Sequence, residues 1–205
     1  MTFPSDPSEP RQLRLLLGVC GSVSSLTVPH LLAWLSLKLG VADVRVVLTT
    51  MARRFVTEES LRAVAACETF SGWDDLPPGR DSHVTMANWA EVIAVLPATA
   101  NFLGKVANGI ADDLLTSILL AASCPVVLVP AMSEAMWDKP SVRRNVARLR
   151  DDGYQVVEPG NGVAFATGEA ESGSFGDFRR PLVTAVAQAL ANRGRTPSEQ
   201  GAESC

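Results

Sequence analysis

Short apolar runs alternate along the chain with longer stretches whose apolar residues recur every three or four positions. Leu13–Val19, Val44–Leu48, Val92–Leu96, Pro125–Val129 and Tyr154–Val157 are the short runs. Continuous apolar segments of this kind are the pattern of strands covered on both faces. The stretches between them read as helices over Leu26–Leu39, which stops at Gly40, over Ala52–Ala66, with Phe55, Leu61 and Val64 at roughly helical spacing, and over Ala111–Ala122. Pro140–Asp152, stopped by Gly153, and Pro181–Asn192 complete the set. Strands alternating with helices predict an α/β fold, a doubly wound parallel sheet with helices on both faces.

Four segments break the alternation. Residues 1–12 are rich in proline and serine and read as a disordered lead-in, and residues 193–205 read as a disordered polar tail. Glu68–Asp81, with Pro77, Pro78 and Gly79, reads as a loop. Pro159–Phe178 carries five glycines and few large apolar residues, which suggests a mobile lid over residues 159–178. The expectation is a single domain over residues 13–192.

The stretch Pro97–Thr116, PATANFLGKVANGIADDLLT, stands out. A strand runs into a proline, small residues and an asparagine, then into helical sequence. Ligands of open α/β sheets bind beyond the carboxyl ends of strands, where small side chains admit a flat ring. Gly18–Ser25, GVCGSVSS, joins the first strand to its helix through two glycines and three serines, a turn suited to holding phosphate on amides and hydroxyls. It lacks the GxGxxG fingerprint, and Thr49 and Thr50 stand where a ribose-binding acid would end the second strand, which suits a mononucleotide better than NAD. Pro130–Trp137, PAMSEAMW, repeats the character of the Pro97 loop at another strand end.

Composition narrows the chemistry. A net charge of −4 and a pI near 5.2, without a Lys/Arg run, speak against nucleic acid as a partner. The 205 residues are 47% hydrophobic, enough for a sizeable core. The longest apolar stretch, Ile118–Met132, is broken by Ser123 and Pro125, so no membrane segment is expected. Arg11–Ser25 has a signal-peptide look, but its apolar run is short and the residues read better as a first strand and loop. Cys20, Cys67, Cys124 and Cys205 stand far apart with no metal spacing, which predicts neither a metal site nor a disulfide framework and points to the cytoplasm. Cys20 and Cys124 lie in apolar strand sequence, where a small buried hydrophobe is the simpler role than a catalytic thiol. His83, one of two histidines, is on residues alone either a surface group or a proton-transfer group, while His30 at the start of an apolar helix has no partner in view.

GSVSS, LTTMARRFVTEESL, His83 before NWAEV, PATANFLGKVANGIADDLLT and PAMSEAMW stand in one order from about Leu13 to Gly176. Together they resemble the homo-oligomeric flavin-containing cysteine decarboxylases, and most closely the peptidyl-cysteine decarboxylases of lanthipeptide, linaridin and thioviridamide-type biosynthesis. The resemblance implies a Rossmann-like, flavodoxin-like fold assembled as a homotrimer or a dodecamer of trimers. It implies FMN, with FAD left open, its phosphate near Gly21, Ser22, Val23 and Ser24. The flavin would lie beside Thr49, Phe55, Ala98, Thr99, Asn101 and Ala131, some of them from a neighbouring subunit. His83 becomes the catalytic histidine, and Ser133, Met136 and Thr167 fall at substrate-binding positions.

Two departures shape the functional reading. The family's PxMNxxMW motif has an asparagine where this chain has Ser133, and a hydroxyl lacks the amide's second donor. Where phosphopantothenoylcysteine decarboxylases carry Ala-Cys-Gly in the lid, this chain reads Ala166-Thr167-Gly168, so the thiol that serves the reductive half of that reaction is missing. The expectation is therefore oxidative decarboxylation of the C-terminal cysteine of a ribosomally made precursor peptide, leaving an aminoenethiol for aminovinyl-cysteine formation. Phosphopantothenoylcysteine decarboxylation in coenzyme A synthesis and a non-catalytic flavin-binding regulatory subunit are the alternatives; a prenyl transferase of related fold fits PAMSEAMW less well.

Overall fold

Six short strands pair in one all-parallel sheet: β1 (Arg14–Val19), β2 (Asp43–Leu48), β3 (Cys67–Phe70), β4 (Val92–Ala98), β5 (Val126–Pro130) and β6 (Gln155–Val156). This computed structural model describes residues 13–39, 43–76, 82–163, 170–174 and 179–193. The strand order is β3-β2-β1-β4-β5-β6, the doubly wound order of dinucleotide-binding folds, and it reverses between β1 and β4. Every residue of β4 is buried, as its apolar run requires of a central strand.

Alternation along the strands divides the core between two faces. Leu15, Leu17 and Val19 meet Val28, Leu32 and Leu35 of α1 (Val28–Leu39), Leu61 of α2 (Glu58–Arg62) and Leu182 of α8 (Arg179–Arg193). Leu16, Ile93 and Val95 turn the other way, toward Met86 of α3 (His83–Trp89), Phe102 of α4 (Ala100–Ala107), Ile118 of α5 (Leu114–Ala121) and Leu149 of α7 (Pro140–Asp151). The sheet is approached closely on this second face: a Cβ at Gly18 would lie 2.7 Å from Leu115 Cδ1, so α5 rests where a side chain would otherwise stand.

Several expectations are corrected. Ala52–Ala66 is not one helix but a 3-10 turn, Ala52–Arg54, followed by α2. Thr57 starts the second segment by accepting the Ser60 amide at 3.2 Å, and Glu58 and Glu59 fill its first turn. Within the expected loop Glu68–Asp81, β3 extends the sheet by pairing with β2, and Arg45 reaches across to Glu68 at 2.8 Å. The helix expected from Ala111 begins at Leu114, capped by Asp113. In the expected lid, β7 (Gly160–Val163) and β8 (Ala170–Ser174) form an antiparallel pair beside α6 (Glu134–Trp137). Thr167, with residues 164–169, lies outside the described residues, as do the lead-in, residues 1–12, and residues 194–205 of the tail.

Candidate active site

Parallel strands deliver their carboxyl ends to one edge of the sheet, and short backbone bonds continue the pairing past the strands. Thr49 donates its amide to Val19 at 3.0 Å, Cys20 to Pro97 at 3.2 Å, and Ala131 to Ala98 at 3.1 Å. With neighbouring strands about 4.8 Å apart, the loops after β2, β1, β4 and β5 form a row roughly 14 Å long. All the cofactor positions named from sequence fall on these four loops.

In the loop after β1, Ser22 caps a 3-10 turn, Val23–Thr27, that runs straight into α1. The Ser22 hydroxyl accepts the Ser24 amide at 3.3 Å, and the buried Ser25 hydroxyl donates to the Cys20 carbonyl at 2.7 Å. The amides of Gly21 and Val23 find no acceptor among the described residues, and the Ser22 and Ser24 hydroxyls donate to none. The turn is thus built and still has donors to give. In the loop after β2, Thr49 closes the Ala52–Arg54 turn by accepting the Ala52 amide at 3.3 Å on its hydroxyl. Met51 and Phe55 on the same loop expose apolar side chains.

After β4, Thr99 caps α4 through the Phe102 amide at 3.3 Å; Ala98 is buried and Asn101 exposed in the first turn. After β5, Ala131 is buried and Ser133 precedes α6 with no capping bond from its side chain, while Met136 is exposed. His83 opens α3. Helices run back antiparallel to the strands, so its imidazole stands at this same edge, where it meets the Trp73 ring edge-on at 5.5 Å and 80°.

Trp73 also lines a cavity of about 200 Å³ with Leu48, Thr49, Ser71, Asp112 and Asp113. Thr49, expected beside the flavin, is in its wall with Thr50; His83 sits one ring away. Small-molecule pockets usually enclose about 300–1,000 Å³, so this cavity is smaller than a flavin-sized ligand needs. Sequence reasoning missed Trp73, which lay in a stretch read as loop, and the Asp112–Asp113 pair. Lys105 holds both carboxylates, at 2.7 and 3.5 Å, and that ion pair holds Asp112 below the usual carboxylate range. The available signal was the Asn108-Gly109 turn between Lys105 and the acid pair, which ends α4 and brings the chain back on itself.

Cys20 and Cys124, expected within strands, instead flank β1 and β5, and both behave as apolar groups. Burial pushes the Cys20 thiol up to about 12, with Asp113 adding to the shift and the Thr99 backbone and Lys105 opposing it. Cys124 is half-buried and pushed up to about 11, again by burial first. Neither is a thiolate at neutral pH. Among the described residues no group of three or more His, Cys, Asp or Glu is placed to hold a metal, and no helix is long and apolar enough to cross a membrane.

Known proteins share this arrangement. A family profile described as Flavoprotein matches residues 4–190. The crystal structure of the FMN-dependent cysteine decarboxylase SpaF superposes with a TM-score of 0.80 at 47% identity, over 87% of this chain and 98% of that one. Mersacidin decarboxylase of a Bacillus species is 36% identical over 157 residues, covering 76% of this chain and 79% of that protein. The coenzyme A biosynthesis bifunctional protein CoaBC of Bacillus subtilis is 46% identical over 122 residues, 59% of this chain but 30% of that protein. The chain therefore matches less than a third of that relative's length.

Proposed function

The chain belongs to the flavoprotein family, and from that premise we propose that it is an FMN-dependent enzyme acting on the C-terminal cysteine of a ribosomally made precursor peptide. It removes the carboxylate oxidatively and leaves an aminoenethiol for aminovinyl-cysteine formation. The observation that carries this reading is the likeness to SpaF over nearly the whole of both chains.

The donor set suits FMN. Two unengaged amides and two serine hydroxyls on Gly21–Ser24 match phosphate oxygens. Beyond them, the small residues Ala98, Thr99 and Ala131 and the exposed apolar groups Met51, Phe55 and Met136 suit a flat aromatic ring. When bound, the flavin supplies the electron acceptor that oxidation of the cysteine carbon–sulfur unit needs before CO2 leaves. The chain's own residues then have separate tasks. An imidazole nitrogen of His83 takes the thiol proton, and Trp73 fixes the plane of that ring. Ser133, free of capping duty, offers its hydroxyl to the substrate carboxylate. Thr167 in place of the lid thiol leaves the product as the enethiol.

Val23, Leu26, Met51, Phe55, Trp73 and Met136 all expose large apolar side chains on the carboxyl edge of the sheet. An apolar edge beside this small cavity supports assembly with further copies of the chain, as a homotrimer or a dodecamer of trimers, with a neighbour completing the site. A second reading, phosphopantothenoylcysteine decarboxylation, is favoured by the 38% identity over 155 residues to the phosphopantothenoylcysteine decarboxylase of Mus musculus.

The test is mass spectrometry of short cysteine-ended peptides incubated in air with the flavin-loaded protein. Loss of CO2 and two hydrogens, about 46 Da, is the expected result. Loss of CO2 alone contradicts the role given to Thr167, and turnover of phosphopantothenoylcysteine but no peptide selects the second reading. His83→Asn is expected to keep the flavin and lose the mass change; an unchanged rate removes His83 from the reaction.

A further inference from the structure

Resting on the reading of a bound flavin mononucleotide, we propose that Arg53 and Arg54 supply the counter-charge for its phosphate. The loop that would cradle the phosphate, Gly18–Thr27, contains neither Lys nor Arg. A phosphate monoester carries close to two negative charges at neutral pH. Amides and hydroxyls solvate such a group without neutralising it, in a chain already at −4. A cation must come from a neighbouring element.

The element pressed against this loop is the one after β2. A Cβ on Gly21 would lie 2.3 Å from Met51 Cβ and 2.9 Å from the Met51 carbonyl oxygen, so the two backbones are in direct contact. Arg53 and Arg54 follow Met51 in the same closed turn, their amides donating to Thr49 at 3.4 Å and to Met51 at 3.3 Å. Both side chains are exposed, and neither has an ion-pair partner among the described residues.

Two other cations near this edge are already engaged. Lys105 is held by Asp112 and Asp113, and Arg143 by Asp138 at 2.8 Å while its guanidinium lies 5.0 Å over Trp137. Of the nearest acids along the chain, Glu58 is bound by Arg62, Thr69 and Ser71. Arg53 and Arg54 are thus adjacent, unneutralised and carried by the backbone that touches the phosphate turn. Guanidinium forks match phosphate oxygens in geometry as well as charge. The alternative anion is an acidic residue of the substrate peptide.

Flavin-free protein titrated with FMN and with riboflavin, read by flavin fluorescence, separates these cases. The double variant Arg53→Gln/Arg54→Gln is expected to weaken FMN about tenfold while riboflavin, lacking the phosphate, changes by less than about twofold. Added salt is expected to weaken FMN binding to the wild type more than to the variant. Arg53→Lys/Arg54→Lys keeps the charge and recovers part of the affinity, and Arg144→Gln, an exposed arginine on α7, changes neither flavin. Equal losses for both flavins, or none for FMN, overturn the assignment, as does a variant that binds FMN normally but loses an acidic labelled peptide by fluorescence anisotropy. A wild type that binds no flavin removes the underlying reading instead.

Discussion

Replacing Gly21 by alanine tests how tightly the phosphate turn is built. The new Cβ would meet Met51 Cβ at 2.3 Å, the Met51 carbonyl carbon at 2.7 Å and its oxygen at 2.9 Å. Carbon atoms in contact rest about 3.5–4.0 Å apart, so the two loops must separate by roughly an ångström or more. Met51 is half exposed, but its flexible end gives no relief, because the clash is with Cβ and main chain. Overpacking of this kind costs about 1–3 kcal/mol, or roughly 2–12 °C of melting temperature for a chain of this size. The functional loss is larger in proportion, since the amides and hydroxyls of Gly21–Ser24 move with the backbone. A misplacement of about 1 Å in a positioned site is worth up to a hundredfold, and we expect FMN affinity to fall tenfold or more on that scale. Gly72→Ala is the control for stability alone, because nothing lies within 4 Å of its Cβ position and its backbone is extended, while it lines the Trp73 cavity. Thermal melting of both variants and flavin titration of Gly21→Ala read the two effects separately. A Gly21→Ala protein that melts and binds FMN like the wild type would refute the packing argument.

Two further expectations concern stability. The Cys20 thiol, raised from 9.0 to about 12 by burial, stays protonated in the folded chain after it ionises in the unfolded one. The unfolded state then holds fewer protons, so the stabilisation present below pH 9 is lost as pH rises toward 12, on the order of 1 kcal/mol per pH unit. Urea unfolding of Cys20→Ala at several alkaline pH values should show a shallower decline; a parallel decline removes Cys20 as the cause. Asp113→Ala deletes the cap on α5, where the carboxylate accepts the Thr116 amide at 2.8 Å, and should cost about 1 kcal/mol. Asp112→Ala, which loses only a largely exposed ion pair to Lys105, should cost less than about half of that; equal losses would mean that the ion pair, not the cap, holds this turn.

The sheet was legible where strands are buried on both faces, because nothing but apolar residues fills the buried positions of β1, β4 and β5. It was not legible at the edge. β3 holds only Cys67–Phe70, with Glu68 and Thr69 inside it, and its pairing with β2 supplies what its composition does not. α3 escaped notice because seven residues bury only Met86 and Ala87, too few for a periodic signal. The break at Val56–Thr57 was written in the sequence as Thr57-Glu58-Glu59, a capping pattern hidden by apolar spacing that happened to continue through it. The strand-end loops at Gly21, Thr49, Ala98 and Ala131 were read from small residues and resemblance, and the structure sets them in one row. Trp73 beside His83 needed three dimensions, since the ring contact joins segments on either side of residues that sequence marked only as irregular.

The meeting of Gly18 with Leu115 bears on how such a sequence drifts. The two positions share one side chain's worth of volume across the sheet, with 2.7 Å between a hypothetical Cβ and the leucine methyl. Gly18→Ala alone is overpacked, and Leu115→Ala alone leaves a void in the buried face. The pair together partly restores the lost volume, but the Leu115-first route passes through the void and the Gly18-first route through the clash. Either route thus passes through a destabilised single variant, so the spacing of α5 from the sheet ties the two positions together, and Gly18 in β1 is retained for as long as the leucine is.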